Sequence, residues 1–293
     1  MPWDKRVLLL DPVRPSAAIQ ERFHKELLKR VLFLEGKAEA LFSSYKEYLA
    51  AYKEAAAQAD RAGVMSLKDS RSRGNATVDK SVRDINSLLR KTWKEYSRRF
   101  PERGDNSLAR EFVRRCYDEV RRRNEINFRR AAESLTVKVQ MTERKKVIIS
   151  AAAQEASVLI KNLGTRAQED IAGAVNRCLM EGRNLGELTE AVQSILRSTR
   201  RRAVNIASDQ VHKVESALDR QVKLDLGLNK AIWRHSHAWV KTKWRASHVA
   251  ADGTEFDLRR GCKIDGEYIF PAQLPYCRCY AQSILTLPEG ENK

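Results

Sequence analysis

The sequence predicts a mainly α protein, with long helices in the N-terminal region and a small C-terminal α+β module of short strands and hairpins. Apolar residues recur at helical spacing over long stretches of the first 227 residues. After Gly227 the pattern changes to short runs of β-forming residues, separated by turn signals such as Asp265-Gly266. We therefore expect three consecutive parts: a helical, basic region at 1–142 with a loop near 60–80, a second helical part at 143–228, and the α+β module at 229–293.

Residues 17 to about 60 are predicted to form one long helix. Its apolar side chains alternate in steps of four and three, which is a heptad seam. The seam comprises Leu27, Val31, Leu34, Ala38, Leu41, Tyr45, Tyr48 and Tyr52. A helix of an antiparallel bundle fits this seam, and so does a coiled coil or a docking helix for a partner.

The polar stretch at 60–80 lacks periodicity and predicts a loop, after which a helical pattern resumes at about 80–100. The stretch 100–107 predicts a turn in which Asp105 or Asn106 caps the next helix, at about 106–134. The apolar stripe of that helix comprises Val113, Cys116, Tyr117, Val120 and Phe128.

A further helix is predicted from Glu143 to Leu163, with Gly164 as its terminating C′ glycine. Thr165 and Gln168 have the spacing of a capping box for the helix that follows. Gly182 is expected to end that helix. Asn184 can then cap another long helix that leads to the α+β module.

The chain is strongly basic, with 55 Lys and Arg against 38 Asp and Glu and a formal net charge of +17. Such a charge favours polyanionic partners. Arginines at seven-residue spacing follow one face of the 106–134 helix, and a second cluster lies near residue 200. The arginines predicted to contact double-stranded DNA, non-specifically, are Arg114, Arg115, Arg121, Arg122, Arg129, Arg200, Arg201 and Arg202. A solvated face with intrahelical Glu–Arg pairs is the alternative.

The sequence shows no pattern typical of a secretory signal or a membrane span, so we expect a protein made in a cytoplasm with no membrane partner. Its five cysteines are an odd number in a long chain, which argues against a disulfide framework. Cys116 and Cys178 lie on helical patterns and are predicted to be small core residues.

The α+β module carries a run of motif residues in a distinctive order. They are Trp233, Arg245, His248, Asp252, Gly253, Cys277 and Cys279. This order resembles the phage Mu F-like minor head proteins, or head morphogenesis proteins, of tailed bacteriophages. The resemblance covers roughly residues 145–287, so the helical part at 143–228 is similar to the helical part of the Mu F-like domain. Tyr276 departs from the family, whose members often carry Asn or another small polar residue there.

This resemblance implies a structural protein with no established catalytic activity. It implies a few copies per virion, bound in the head interior near the portal after assembly in the host cytoplasm. The implied partners are the phage portal protein and capsid or scaffolding proteins. The implied roles are head morphogenesis, capsid assembly, DNA packaging and, in some members, DNA ejection with the genome.

The chemistry of the C-terminal cysteines has several interpretations. Thiolates and imidazoles suit zinc, and the candidate ligands are His248, Cys277 and Cys279 with either Cys262 or His237. No cofactor is certain, and a structural zinc ion is the candidate. Packing of the cysteines in a small core is the alternative, and a redox pair is a third, although the Cys-x-Cys spacing is not the usual redox motif.

An enzymatic hypothesis also exists. Arg245, His248, Asp252 and Glu255 lie close in sequence, which suggests a metal-dependent nuclease or a toxin-like nucleic-acid-processing module. The sequence has no nucleophile arrangement and no Gly-rich phosphate loop, so we expect no enzyme. The three tryptophans of the module, Trp233, Trp239 and Trp244, are expected to pack in its core or to anchor protein contacts.

Overall fold

The fold, taken from a computed structural model, is described for residues 5–61, 67–131, 136–237 and 244–288. The predicted class is confirmed: long helices precede a small module of short antiparallel strands. The helices are α1 Ala17–Arg61, α2 Leu67–Arg99, α3 Glu102–Ala131, α4 Glu143–Glu181, α5 Leu185–Asp225 and α6 Ala246–Ala250. The strands are β1 Lys5–Leu9, β2 Lys230–Arg234, β3 Glu255–Asp257, β4 Cys262–Ile264, β5 Glu267–Ile269 and β6 Tyr280–Pro288. No helix among the described residues is both long and apolar enough to cross a membrane.

The chain forms two compact units, each made of separate stretches of sequence. The sheet unit comprises Met1–His24, Asn106–Ser157 and Asn205–Lys293. The helical unit comprises Lys25–Asp105 and Val158–Val204. The predicted boundaries at 142/143 and 228/229 divide the sequence into consecutive segments, whereas each compact unit combines several segments. These boundaries stay a prediction.

The helical unit is built around one apolar core, to which the predicted seam of α1 contributes. Leu34, Leu41, Tyr45 and Tyr48 are buried there, whereas Tyr52 is exposed. The predicted loop at 60–80 is wrong from residue 67 onward, because α2 begins at Leu67; residues 62–66 lie outside the described residues.

Two predicted helix boundaries are also wrong. The helix α3 begins at Glu102 rather than near Asn106, and Asp105 is a buried partner of Arg30 inside it rather than a cap. The helix α4 continues through Gly164, and the Thr165 hydroxyl donates to the carbonyl of Lys161 (3.2 Å), as within an unbroken helix.

The predicted end of α4 and start of α5 are confirmed by their capping bonds. Gly182 has φ of +64°, and the Arg183 N–H donates to the carbonyl of Cys178 (3.0 Å), which is the Schellman bond. The Glu187 N–H donates to Asn184 Oδ1 (3.1 Å), and the Asn184 N–H donates to Glu187 Oε2 (2.9 Å). These two bonds form a reciprocal capping box.

The sheet unit contains a four-stranded antiparallel sheet in the order β1-β6-β2-β3 and a separate hairpin, β4–β5. Asp265 and Gly266, at φ of +52° and +86°, form the predicted two-residue turn between β4 and β5. The strand β1 was not predicted from the sequence, and it pairs with β6 in the register Leu9↔Ile284. The apolar stripe of α3 lies in this unit and is buried as predicted.

Candidate functional site

The candidate site lies where three elements of the sheet unit meet. The short helix α6 supplies His248, β2 supplies Trp233, and the turn that leads into β6 supplies Cys277 and Cys279. All four side chains are buried. Trp233, Cys277 and Cys279 belong to one apolar cluster with residues of the neighbouring strands. His248 contacts this cluster through the ring of Trp233, with 5.3 Å between the ring centroids.

The turn at residues 271–279, which carries Cys277 and Cys279 and is called the cysteine turn below, is held in place by residues distant in sequence. Tyr276 has φ of +61°, and its N–H donates to Asp209 Oδ1 on α5 (2.7 Å). Asn tolerates this left-handed region better than most residues, so the backbone here suits the residue that family members often carry, and nothing in the structure explains the Tyr of this chain. Arg278 is half-buried and donates to the carbonyl of Ser208 (3.3 Å). Residues that follow each other by two point the same way in extended chain, so Cys277 and Cys279 both face inward.

The two sulfurs converge on one imidazole nitrogen. His248 Nδ1 lies 3.4 Å from Cys277 Sγ and 3.7 Å from Cys279 Sγ. Ligand atoms of the three residues all lie within 4.8 Å of one another. Among the described residues, His248, Cys277 and Cys279 are the one set of at least three His, Cys, Asp or Glu side chains that lie close enough together to share a metal ion.

The two thiols differ strongly in acidity. Cys277 accepts a hydrogen bond from the Cys279 thiol, and this bond lowers the pKa of Cys277 well below its usual range against the opposing effect of burial. Backbone N–H groups and the nearby His248 act in the same direction. Cys279 donates the shared hydrogen bond, so its pKa is raised. Cys277 is therefore the more acidic of the two thiols, and thiolates are the form in which cysteines bind metal ions.

The other predicted zinc ligands lie elsewhere. Cys262 is in β4, opposite Ile269, and burial raises its pKa. It is not among the residues whose ligand atoms converge, because β4 places it elsewhere in the apolar core. His237 is exposed, and its Nε2 lies 3.2 Å from Asp252 Oδ2. The structure thus brings together three of the five candidate ligands, His248, Cys277 and Cys279.

The residues of the enzymatic hypothesis have separate structural roles. Asp252 accepts the His235 N–H (3.0 Å), and Glu255 accepts from Lys230 (2.6 Å) on β2. Arg245 donates to the carbonyl of Pro275 (3.0 Å), which braces the cysteine turn. Since His248 faces the thiols, these side chains do not converge on a shared centre.

The tryptophans take different positions. Trp233 is fully buried and packs edge-on against His248 and Phe256. Trp244 is 45% exposed, and its ring lies 5.3 Å from that of His235. Trp239 lies outside the described residues. The core role is therefore observed for Trp233, whereas Trp244 presents part of its ring to solvent.

Four of the five predicted DNA-contacting arginines on α3 have a carboxylate partner on the same helix. The ion pairs are Arg114–Asp118 (3.3 Å), Arg115–Glu111 (2.8 Å), Arg121–Glu125 (4.0 Å) and Arg122–Glu119 (2.9 Å). Arg129 is exposed, and it has no ion pair within the described ranges. The intrahelical-pair alternative therefore describes most of this face.

The second arginine cluster lies on α5 in the helical unit. Arg200 donates to both carboxylate oxygens of Glu35 (2.6 and 2.8 Å), and this hydrogen bond raises the pKa of Arg200. Arg201 is exposed and Arg202 is half-buried, and neither has an ion pair among the residues described. Sequence reasoning missed Arg130, which is exposed beside Arg129 and likewise lacks an ion pair in the described part.

Comparison with known proteins adds a family. Residues 169–282 match the family described as "Phage Mu protein F like protein". An uncharacterized protein of Haemophilus influenzae is 27% identical over 99 residues, which are 34% of this chain and 22% of that protein. The chain thus aligns with about a fifth of that relative's length. No solved structure matches.

The matched segment contains the helices α5 and α6 and the strands β2 to β5. It therefore includes all three residues of the His248–Cys277–Cys279 trio. The resemblance seen in the sequence is confirmed over these residues. Residues 169–282 are therefore similar to the phage Mu protein F like family, as the sequence motifs indicate.

Proposed function

We propose that the protein is a structural minor head protein of a tailed bacteriophage, which docks at the portal inside the procapsid and contacts packaged DNA. The observation that carries this proposal is the family match over residues 169–282, which includes the packed core around Trp233 and His248. A position in the head interior near the portal, and delivery of the protein with the genome, belong to the same proposal.

The geometry of the site supports a structural role over catalysis. The side chains of the enzymatic hypothesis brace neighbouring segments, as the Arg245 bond to the Pro275 carbonyl shows. His248 is 3% exposed and faces two buried thiols, so a nucleic-acid phosphate has no direct route to it. A metal-dependent nuclease or toxin-like module remains the alternative, and it predicts nucleic-acid cleavage that His248→Ala abolishes.

DNA contact rests on arginines whose guanidinium groups are not already bonded to a carboxylate. A paired arginine must break its ion pair before it neutralises a phosphate. Arg129 and Arg130 on α3, and Arg201 on α5, are exposed and have no ion pair in the described residues. We therefore assign the main DNA contacts to these arginines and a smaller part to the paired Arg114 and Arg122.

Salt dependence of binding to duplex DNA tests this assignment. We expect binding of a random-sequence duplex to weaken with salt, and the slope of the log–log plot should be about 0.9 per phosphate that the protein neutralises. The double variant Arg129→Ala/Arg130→Ala should lower the slope by roughly 2 on this scale. Arg114→Ala is the matched control and should change it little. An unchanged slope in the double variant, or an equal decrease in both variants, would contradict the assignment.

Portal docking is tested on the same protein with portal rings encoded by the same genome. We expect co-sedimentation with the rings at a salt concentration that abolishes DNA binding, since docking and phosphate contact use different forces. Absence of ring binding, together with absence of the protein from purified heads, would overturn the proposal. Cleavage of DNA or RNA by the parent protein but not by His248→Ala would favour the alternative.

A further inference from the structure

We propose that His248, Cys277 and Cys279 bind a zinc ion that fastens the cysteine turn to α6. The site consists of a buried imidazole and two buried sulfurs on segments that are 29 and 31 residues apart in sequence. Soft thiolate and imidazole ligands of this kind suit zinc. The inference concerns a site within the family region and does not depend on portal docking or DNA contact.

The distances fit a shared tetrahedral ion. With Zn–S of about 2.3 Å, Zn–N of about 2.0–2.1 Å and tetrahedral angles, a ligating sulfur and nitrogen lie about 3.5 Å apart. His248 Nδ1 lies 3.4 Å from one sulfur and 3.7 Å from the other. An ion can therefore bind with small side-chain adjustments and no rearrangement of the fold.

The surroundings of the sulfurs are those of bound thiolates. Cys277 Sγ accepts hydrogen bonds from the backbone N–H groups of Cys279 and Ala272. Ala272 has φ of +62°, a costly conformation for a residue with a side chain, and it is held there with its N–H directed at the sulfur. Outer hydrogen bonds of this kind orient metal ligands and stabilise their charge.

The indole of Trp233 supplies a second outer group. Its Nε1 is buried beside the sulfur of Cys279 and has no acceptor in hydrogen-bonding geometry. A buried N–H without an acceptor costs free energy. Metal binding deprotonates Cys279 and turns its sulfur into a charged acceptor beside this N–H, which removes the cost.

Three protein ligands leave one tetrahedral position, and we assign it to a water molecule. Within the described ranges, no fourth His, Cys, Asp or Glu places a ligand atom close enough to those of His248, Cys277 and Cys279 to share the ion. The ion would link α6, the Pro271–Cys279 turn and the start of β6 in a module whose apolar core is small. A metal commonly stabilises modules of this size.

Cobalt substitution and zinc analysis test the site. Reduced, metal-free full-length protein is titrated with Co²⁺, and the purified protein is analysed for zinc. We expect one ion per chain, sulfur-to-cobalt charge-transfer absorption and the intense visible bands of tetrahedral Co²⁺. Cys277→Ser, Cys279→Ser and His248→Gln should each abolish or strongly weaken these signals. The matched control is Cys262→Ser, because Cys262 is equally buried in the same core and outside the trio.

A folding readout keeps the test valid if a variant is unstable. Zinc should raise the thermal midpoint of the parent and of Cys262→Ser by the amount that mass action gives for the measured affinity. Absence of stoichiometric ion binding by the folded parent would overturn the proposal and leave the trio as a hydrogen-bonded core cluster. Loss of the cobalt signal in Cys262→Ser, folded to the same extent as the parent, would also overturn it.

Discussion

The phenol of Tyr96 occupies the space where Gly164 lacks a side chain. A Cβ atom built on Gly164 would lie 1.8 Å from Tyr96 Oη and 2.4 Å from its Cζ. Tyr96 is 8% exposed in the core of the helical unit, and burial raises its pKa to about 12. The glycine therefore allows α2 and α4 to approach closely rather than ending a helix.

Replacement of this glycine should destabilise the helical unit. Gly164→Ala forces the Tyr96 ring out of its site, and overpacking of this kind costs about 1–3 kcal/mol. Gly36→Ala is the matched control, because Gly36 is also inside a helix and has nothing within 4 Å of its Cβ position. That control should stabilise by roughly 0.5–1 kcal/mol through helix propensity. Urea unfolding measures both, and equal effects of the two substitutions would refute the close approach.

The error at Gly164 shows a limit of sequence reasoning. A glycine followed by a Thr-x-x-Gln pattern has the local features of a helix end and a new start, and these features predicted a break. The reason for this glycine is a ring 68 positions away in sequence. By contrast, Gly182 and Asn184 form a true boundary, because their capping bonds are local and the pattern determines them.

The same distinction applies to the candidate site. The residue types of His248, Cys277 and Cys279 predicted a metal centre, and the structure brings those three together. The exclusion of Cys262 depends on strand pairing, and the support from Asp209 comes from 67 positions away. The strand β1 was missed for a similar reason, since its partner is at the other end of the chain.

The residue that follows β1, Leu10, should contribute to the stability of the sheet unit, because its side chain is buried. Leu10 is 1% exposed in a cluster with Phe128, Leu228 and Leu285, whereas Leu9 is 48% exposed. Leu10→Ala should therefore cost about 2–5 kcal/mol, because the substitution removes buried apolar area and leaves a cavity. Leu9→Ala should stay within about 0.5 kcal/mol of the parent. Equal urea midpoints for the two variants would show that β1 does not pack as described.

A buried acid should make the stability of the sheet unit dependent on pH. Burial raises the pKa of Glu215 from 4.5 to about 8, although the Ser16 N–H donates to its Oε2 (3.1 Å). The folded state then holds a proton that the unfolded chain releases, so stability contributed by this group falls as pH rises from 4.5 towards 8. His212, whose pKa burial lowers to about 3, contributes the opposite slope below its usual value of 6.5.

The variant Glu215→Gln isolates the first of these effects. Glutamine keeps the acceptor for Ser16 and does not ionise, so the variant should gain stability relative to the parent as pH rises through this window. Each pKa unit corresponds to about 1.4 kcal/mol, so the difference should reach a few kcal/mol at its upper end. Glu143→Gln is the control, since that side chain is 87% exposed. Parallel pH profiles of parent and Glu215→Gln in urea unfolding would disprove the assignment.

The buried pair Arg30–Asp105 should be the most costly ion pair to break in the helical unit. The two side chains are 6% and 8% exposed, and Arg30 also lies over the ring of Phe100 at 4.8 Å. Asp105→Ala leaves a buried guanidinium without its partner, which should cost about 3–5 kcal/mol. Lys161→Ala removes the exposed pair with Glu102 and should cost less than about 1 kcal/mol.

A double variant separates the value of this pair from the penalty of an unpaired charge. Arg30→Met/Asp105→Leu replaces both charges with apolar side chains of similar length, and such exchanges are often neutral or stabilising. We therefore expect the double variant to recover most of the stability that Asp105→Ala removes. If it is as unstable as the single variant in urea unfolding, the pair itself, with its contact to Phe100, contributes net stability. If Asp105→Ala is no worse than Lys161→Ala, Arg30 reaches water when its partner is removed, and the pair is not buried in solution.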